Sequence, residues 1–95
     1  MAVITGRTLT VANAGDSRAV LCRAGGLVTP LSYDHKPHQE REMSRITSAG
    51  GFVNHFGRVN ANLNLSRSIG DLKYKQVPGI EPARQIITAE PDIMQ

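Results

Sequence analysis

The chain has no tryptophan, and its aromatic residues are limited to Tyr33, Phe52, Phe56 and Tyr74 among 95 residues. Aliphatic side chains must therefore do most of the packing. Cys22 is the single cysteine, which excludes a disulfide framework and agrees with a reducing compartment inside the cell, cytoplasmic and/or nuclear. Its apolar surroundings, Ala19–Cys22, lead us to expect a buried, inert thiol. Long hydrophobic runs are missing too. No stretch approaches the roughly 20 apolar residues of a membrane-spanning helix, so no membrane partner is expected. The opening Met1–Gly6 has no basic segment leading into a long apolar one, so no secretory signal is expected either.

Lysine is scarce as well. The 11 basic residues include Lys36, Lys73 and Lys75, and the rest are arginine. The net charge is +3 and the isoelectric point about 9.5, values that invite a nucleic-acid reading. The arginines, however, are scattered from Arg7 to Arg84 with no run or stripe, and no nucleic-acid partner is expected. An apolar fraction of 40% argues against disorder. A single small domain of this size buries only about 60–65% of its unfolded surface, so the core must be modest.

The first third reads as a β-meander. Short apolar runs at Ala2–Ile4, Leu9–Asn13, Ala19–Cys22 and Leu27–Thr29 are separated by turns rich in Gly or Asp. Ala19–Cys22 is apolar at every position, a pattern expected of a strand covered on both faces. His38–Ala49 reads as a helix. Met43, Ile46 and Ala49 lie near one face, while Glu40, Arg41, Glu42 and Arg45 occupy the rest, with Glu42 placed to pair with Arg45. Gly50-Gly51 stops the helix. Phe52-Val53 and Arg58–Leu65 are expected as strands, the second with Asn60, Asn62 and Asn64 along one face. Lys73–Arg84 reads as a loop and Gln85–Thr88 as a short strand. Ile93-Met94-Gln95 shows no closing signal.

Five segments follow one another in a recognisable order. They are Val11–Arg18 (Val-Ala-Asn-Ala-Gly-Asp-Ser-Arg), Asp34-His35-Lys36-Pro37, Ile46 through Gly51, Arg58-Val59-Asn60 through Ser66–Asp71 (Ser-Arg-Ser-Ile-Gly-Asp), and Ala89–Asp92 (Ala-Glu-Pro-Asp). Together they resemble the middle of the catalytic domain of the metal-dependent protein phosphatase 2C family. The resemblance covers nearly the whole chain. It implies an α+β fold, a four-layer α-β-β-α sandwich of antiparallel sheets, of which this chain carries a part. It also implies hydrolysis of phosphoserine and phosphothreonine in phosphoprotein substrates by water activated at a Mg²⁺ or Mn²⁺ pair.

The same resemblance points to two metal ligands. Asp71 is similar to a ligand of one ion of the central pair. Asp16 is similar to a ligand of a further, weaker site. Carboxylate oxygens suit hard divalent ions. The family's other ligand segments have no counterpart here, and no Asp-Gly dipeptide occurs. The chain is therefore expected to be a central fragment that lacks the N-terminal and C-terminal portions of its domain, is inactive alone, and is prone to self-association. A catalytically dead binding module on the same scaffold is the alternative. Two residues depart from the family pattern: Ala61 replaces a usual Gly, and Ser68 a usual Ala.

Bland roles compete with these. Asp16 suits a hairpin turn, and Asp71 a turn or helix cap. His35 and His38 have a metal-like spacing, but Pro37 lies between them and no third ligand is placed to join them. Asp34 and His35 are expected to tie their loop to its neighbours, and His55 to be exposed. Ser66 and Ser68 lie outside any Gly-x-Ser-x-Gly setting, so neither is expected as a nucleophile. Arg67 is expected to form an ion pair near Asp71.

Overall fold

The structure is a computed structural model describing residues 1–95. Its class is α+β with antiparallel sheets, as expected. In chain order the elements are β1 (Ala2–Thr5), β2 (Thr8–Asn13), β3 (Val20–Cys22), β4 (Val28–Pro30), α1 (Glu40–Ser48) and β5 (Asp92–Met94). Single 3₁₀ turns lie at Ala24–Gly26, Leu72–Tyr74 and Pro82–Arg84.

β1 and β2 form a hairpin in the register Ala2↔Val11 to Thr5↔Thr8. That register leaves two residues, Gly6 and Arg7, for the turn, and Gly6 takes φ 59°. β5 pairs antiparallel with the other edge of β2, Val11↔Met94 through Asn13↔Asp92. The sequence pattern gave no hint of this strand. Its residues stop no pattern and start none, and a strand of three residues exists here because β2 offers it a free edge. β3 and β4 make a separate two-stranded ribbon.

Within this chain the meander stands more open than its apolar runs suggest. Val20 and Cys22 are exposed in β3, so the apolar run is not covered on both faces within this chain, and the thiol is not buried. The helix does not cover the meander either. Its buried residues Ile46 and Ala49 pack on Val59, Tyr74, Ile86 and Ile87, with Val53, Leu63, Val77 and Ile80 at the margin. The core thus lies between α1 and the irregular segment 53–87. The face that reaches it runs through Glu42, Ile46 and Ala49, at spacings of four and three residues, and Met43 falls to its edge. Glu42 is accordingly fully buried, although the sequence placed it off the apolar face.

Arg58–Leu65 is not a strand. Isolated bridges link Val53 to Val59 and Val59 to Leu63. Between them the chain turns back, with Asn60 at φ 48° and Ala61 at φ 64°. Left-handed backbone at two successive residues breaks extended geometry. The expected Asn row does not form, and the side chains of Asn54 and Asn60 serve the turns. Asn60 Oδ1 accepts the Phe52 N–H at 3.0 Å, and Asn54 Oδ1 accepts the N–H groups of Phe56 and Arg58 at 3.1 and 2.9 Å. Gln85–Thr88 also falls short of a strand, apart from one parallel bridge, Arg67↔Thr88. The Gln85 side chain is turned inward, bonding both polar groups of Val77 and the carbonyl of Ile80.

The overall extents are 47 × 27 × 19 Å with a radius of gyration of 15.3 Å. A closed domain of this length has a radius near 12 Å. The apolar core contains no residue of the sheets, and an ion pair, Arg41–Asp92, links α1 to β5.

Candidate metal-ligand turn and its buried ionic support

β2 ends at Asn13, and the chain turns at once through Ala14-Gly15-Asp16-Ser17. Gly15 makes this turn possible. Its φ is 126°, and a Cβ there would stand 3.1 Å from the Arg67 carbonyl oxygen. Arg67, in the segment Ser66–Asp71, therefore passes directly beside the turn that carries Asp16.

His35 locks the turn from the other side. Its backbone N–H donates to the Gly15 carbonyl at 2.9 Å, and the Gly15 N–H donates to His35 Nδ1 at 3.0 Å. Since Nδ1 accepts, the ring proton sits on Nε2, which faces Asp92 Oδ2 at 2.8 Å. The His35 side chain is almost wholly buried, so this chain of contacts is fixed in place. Asp34, next in sequence, takes a two-pronged contact from Arg18, Nε to Oδ1 at 3.1 Å and Nη2 to Oδ2 at 2.8 Å. That hydrogen bonding holds the Asp34 carboxyl below its usual range. The expected tying role of Asp34 and His35 is thus observed, and His55 is exposed as expected.

Asp16 is half-buried, and its Oδ2 accepts a hydrogen bond from Lys36 Nζ at 2.6 Å. Asp71 is exposed and lies in the left-handed region at φ 51°. Its Oδ2 accepts a hydrogen bond from the Ser68 hydroxyl at 2.6 Å, and its carbonyl accepts the Tyr74 N–H at 3.0 Å. Ser68, one of the two departures from the family pattern, thus contacts the candidate ligand directly. Lys75 Nζ in turn donates to the Ser68 carbonyl at 2.7 Å.

Arg67 is ion-paired as expected, with Glu42 as its partner. It turns inward to Glu42, with Nε to Oε1 and Nη2 to Oε2 both at 2.8 Å. Arg45 Nη1 and the Ser66 hydroxyl also donate to Oε1, each at 2.9 Å. Burial alone raises the Glu42 pKa, but hydrogen bonds from Arg67, Arg45 and Ser66 outweigh it and lower it to about 2. Arg45 continues to the carbonyls of Gln85, Ser66 and Ile86, and Arg67 to that of Glu90. Asp92 collects Arg41 at 2.6 Å and Arg67 at 3.5 Å besides His35. Burial pushes its carboxyl up, and the Arg41 and His35 hydrogen bonds more than reverse this. The sequence held two traces of this network, of which the Glu42–Arg45 spacing was the one read. The shared stripe of Glu42 with Ile46 and Ala49 was the stronger signal.

No three potential metal ligands come together anywhere in the chain. Asp16 and Asp71 thus do not form a metal centre by themselves. What Asp16 does hold is a cation, the Lys36 ammonium. No helix is long and apolar enough to cross a membrane.

The family model described as protein phosphatase 2C matches residues 1–95. The chain is 55% identical over 93 residues to protein phosphatase 2C homolog 2 of Aspergillus fumigatus, covering 98% of this chain and 21% of that protein. It is 54% identical over 93 residues to probable protein phosphatase 2C 11 of Oryza sativa subsp. japonica, covering 98% of this chain and 25% of the relative. A crystal structure of a phosphatase from a pathogenic strain of Toxoplasma gondii superposes with a TM-score of 0.87 at 46% identity, over 90% of this chain and 26% of that one. The chain therefore spans about a fifth to a quarter of the length of these relatives.

Proposed function

The chain belongs to the protein phosphatase 2C family, and from that premise we propose that it forms the central part of a metal-dependent protein serine/threonine phosphatase domain. The observation that carries this reading is the family match over all 95 residues, together with a Toxoplasma phosphatase backbone that superposes on nine-tenths of the chain. The substrates are phosphoserine and phosphothreonine side chains of phosphoproteins. Mg²⁺ or Mn²⁺ ions, when bound, lower the pKa of a water and clamp the phosphate for in-line attack.

This chain's contribution is one of placement. Asp16 and Asp71 are the carboxylates it offers toward metal. Gly15, His35 and Asp92 fix the turn of the first. Ser68 orients the second, while Glu42, Arg45 and Arg67 anchor the segment between them. The absence of three converging ligands supports the further reading that catalysis needs groups beyond this chain.

The test is hydrolysis of a phosphothreonine peptide in the presence of Mn²⁺, run on the full-length protein and on the 95-residue chain. Turnover of about 1 per second or faster by the full-length protein, with none by the chain alone, is the expected result. No turnover by the full-length protein in Mn²⁺ or Mg²⁺ favours a binding module that kept the scaffold without its chemistry. Enzyme-like turnover by the chain alone overturns the division of labour.

A further inference from the structure

The Lys36–Asp16 contact has no place in the phosphatase reading as it stands. It is short, 2.6 Å, and it joins residues 20 apart in sequence. Both side chains are about one-third exposed, so the contact is open to solvent but partly sheltered. Lys36 is also held at its backbone, where its N–H donates to Gln39 Oε1 at 3.1 Å. Pro37 follows directly and is buried, which restrains the direction in which Lys36 can leave. The Lys36 backbone is thus fixed in place beneath the side chain that reaches Asp16.

We propose that Lys36 is a built-in competitor for the cation at Asp16, so that a divalent ion taking the Asp16 Oδ2 oxygen does so by displacing the Lys36 ammonium. This rests on the reading of Asp16 as a metal ligand. A carboxylate oxygen that accepts a 2.6 Å bond from an ammonium cannot direct the same lone pair at a metal, and two cations on one carboxylate repel each other. The competitor lowers the affinity of the site and makes its occupancy depend on metal concentration over a range set by the strength of the ion pair. The displaced ammonium has a place to go. Lys36 lines an open groove with Arg18, Tyr33, Asp34 and His38. Metal at Asp16 therefore adds one positive charge to that groove, and by linkage an anion held in the groove tightens metal at Asp16.

The experiment measures Mn²⁺ binding to the full-length protein by the electron paramagnetic resonance signal of free Mn²⁺, with no substrate present. Wild type is compared with Lys36→Gln, Lys36→Arg, Asp16→Asn and the Lys36→Gln/Asp16→Asn double variant. Removing the competitor tightens the weakest class of sites about 1.5- to 5-fold in Lys36→Gln, the range of a partly exposed ion pair. Lys36→Arg keeps the charge and stays near wild type. Asp16→Asn loses that class, and the double variant matches it. If Lys36→Gln leaves the weak class unchanged or weakens it while Asp16→Asn removes it, Lys36 does not compete and the proposal fails, with the metal reading of Asp16 intact. If Asp16→Asn leaves every class unchanged, Asp16 is not a ligand, and the metal reading fails together with the proposal.

Discussion

Arg67 and Glu42 face each other as a planar fork, two parallel 2.8 Å hydrogen bonds from guanidinium to carboxylate, in the interior between α1 and the segment beside the Asp16 turn. The fork sets the position of the Ser66–Asp71 segment relative to the helix. It also backs the Gly15 turn, where an added Cβ would stand 3.1 Å from the Arg67 carbonyl oxygen. A buried pair of this kind adds little net stability compared with apolar packing, yet losing one partner is costly because the other charge stays buried.

Glu42→Gln is therefore expected to destabilise the fold by about 3–5 kcal/mol, since Arg67 and Arg45 lose their counter-charge. The pH dependence follows from the same residue. Its folded pKa, about 2, lies below its ordinary value of 4.5. The stabilisation is fully present above the ordinary value and is lost as pH falls from there toward 2. It amounts to about 3 kcal/mol at neutral pH. Urea melts at a series of pH values check both points. Wild type should lose stability over that acid window, and Glu42→Gln should lose much less.

Ala61 carries a strain that a glycine would remove. Its φ of 64° lies where a Cβ is unfavourable, and the turn between Val59 and Leu63 fixes it there. Ala61 is exposed, so no packing is lost on replacement. Ala61→Gly is expected to stabilise the protein by about 1 kcal/mol or less, since the greater freedom of glycine in the unfolded chain opposes the relief of strain. Thermal melts of the two forms measure the difference. A clear fall in the midpoint would show that Cβ at this position is favourable.

What the sequence allowed to be read, and what it did not, divides along physical lines. The hairpin β1–β2, the helix and the family segments were legible because each is specified locally, by turn residues, by period or by motif. Ala61 was legible as a departure, and its positive φ follows from the turn. Arg58–Leu65 misled because alternating Asn and aliphatic residues satisfy a strand pattern, while Asn side chains also bond their own backbone and favour turns. β5 was hidden because three residues carry no pattern and owe their conformation to the edge of β2. Cys22 and Val20 were expected inside because their run is apolar, and nothing in this chain covers them. The role of Glu42 depends on Arg67, 25 residues away, a relation no local pattern encodes.

The two candidate ligands should differ when changed in the full-length protein. Asp71→Asn is expected to lower kcat at least a hundredfold at any Mn²⁺ concentration, as loss of a charge on a metal that activates water removes several kcal/mol of stabilisation. Asp16→Asn is expected to raise the Mn²⁺ concentration needed for half-maximal rate while leaving much of kcat. Rates measured across a Mn²⁺ series separate these effects. If Asp71→Asn keeps its rate and only melts earlier, the Ser68–Asp71 contact is a loop anchor and the ligand role of Asp71 is wrong. Equal and complete losses in both variants would remove the distinction between the two sites.

The last expectation concerns the sheets when the 95 residues stand alone. Val3 and Ile4 on β1, Val20 on β3, Val28 on β4 and Ile93 on β5 are each about half exposed or more. Both edges of the three-stranded sheet carry such residues, since β1 and β5 flank β2. Exposed edges offer unpaired backbone groups to another strand, and apolar side chains add a reason to bind. The helix cannot shield them, because its apolar face is already used against Val59, Ile86 and Ile87. Apolar patches beyond a few hundred Å² are uncommon on soluble monomers. Hiding even about 400 Å² is worth close to 10 kcal/mol at roughly 25 cal/mol per Å², comparable to the stability of a whole domain. The isolated chain should therefore self-associate through the sheets or bind the dye ANS strongly. Size-exclusion chromatography with light scattering, repeated over a tenfold range of concentration, reads the first outcome, and dye fluorescence reads the second. Ile4→Lys together with Ile93→Lys should shift the chain toward monomer, because charge on both edges opposes pairing. A wild-type chain that stays monomeric, melts cooperatively and ignores the dye would show that these strands need no cover.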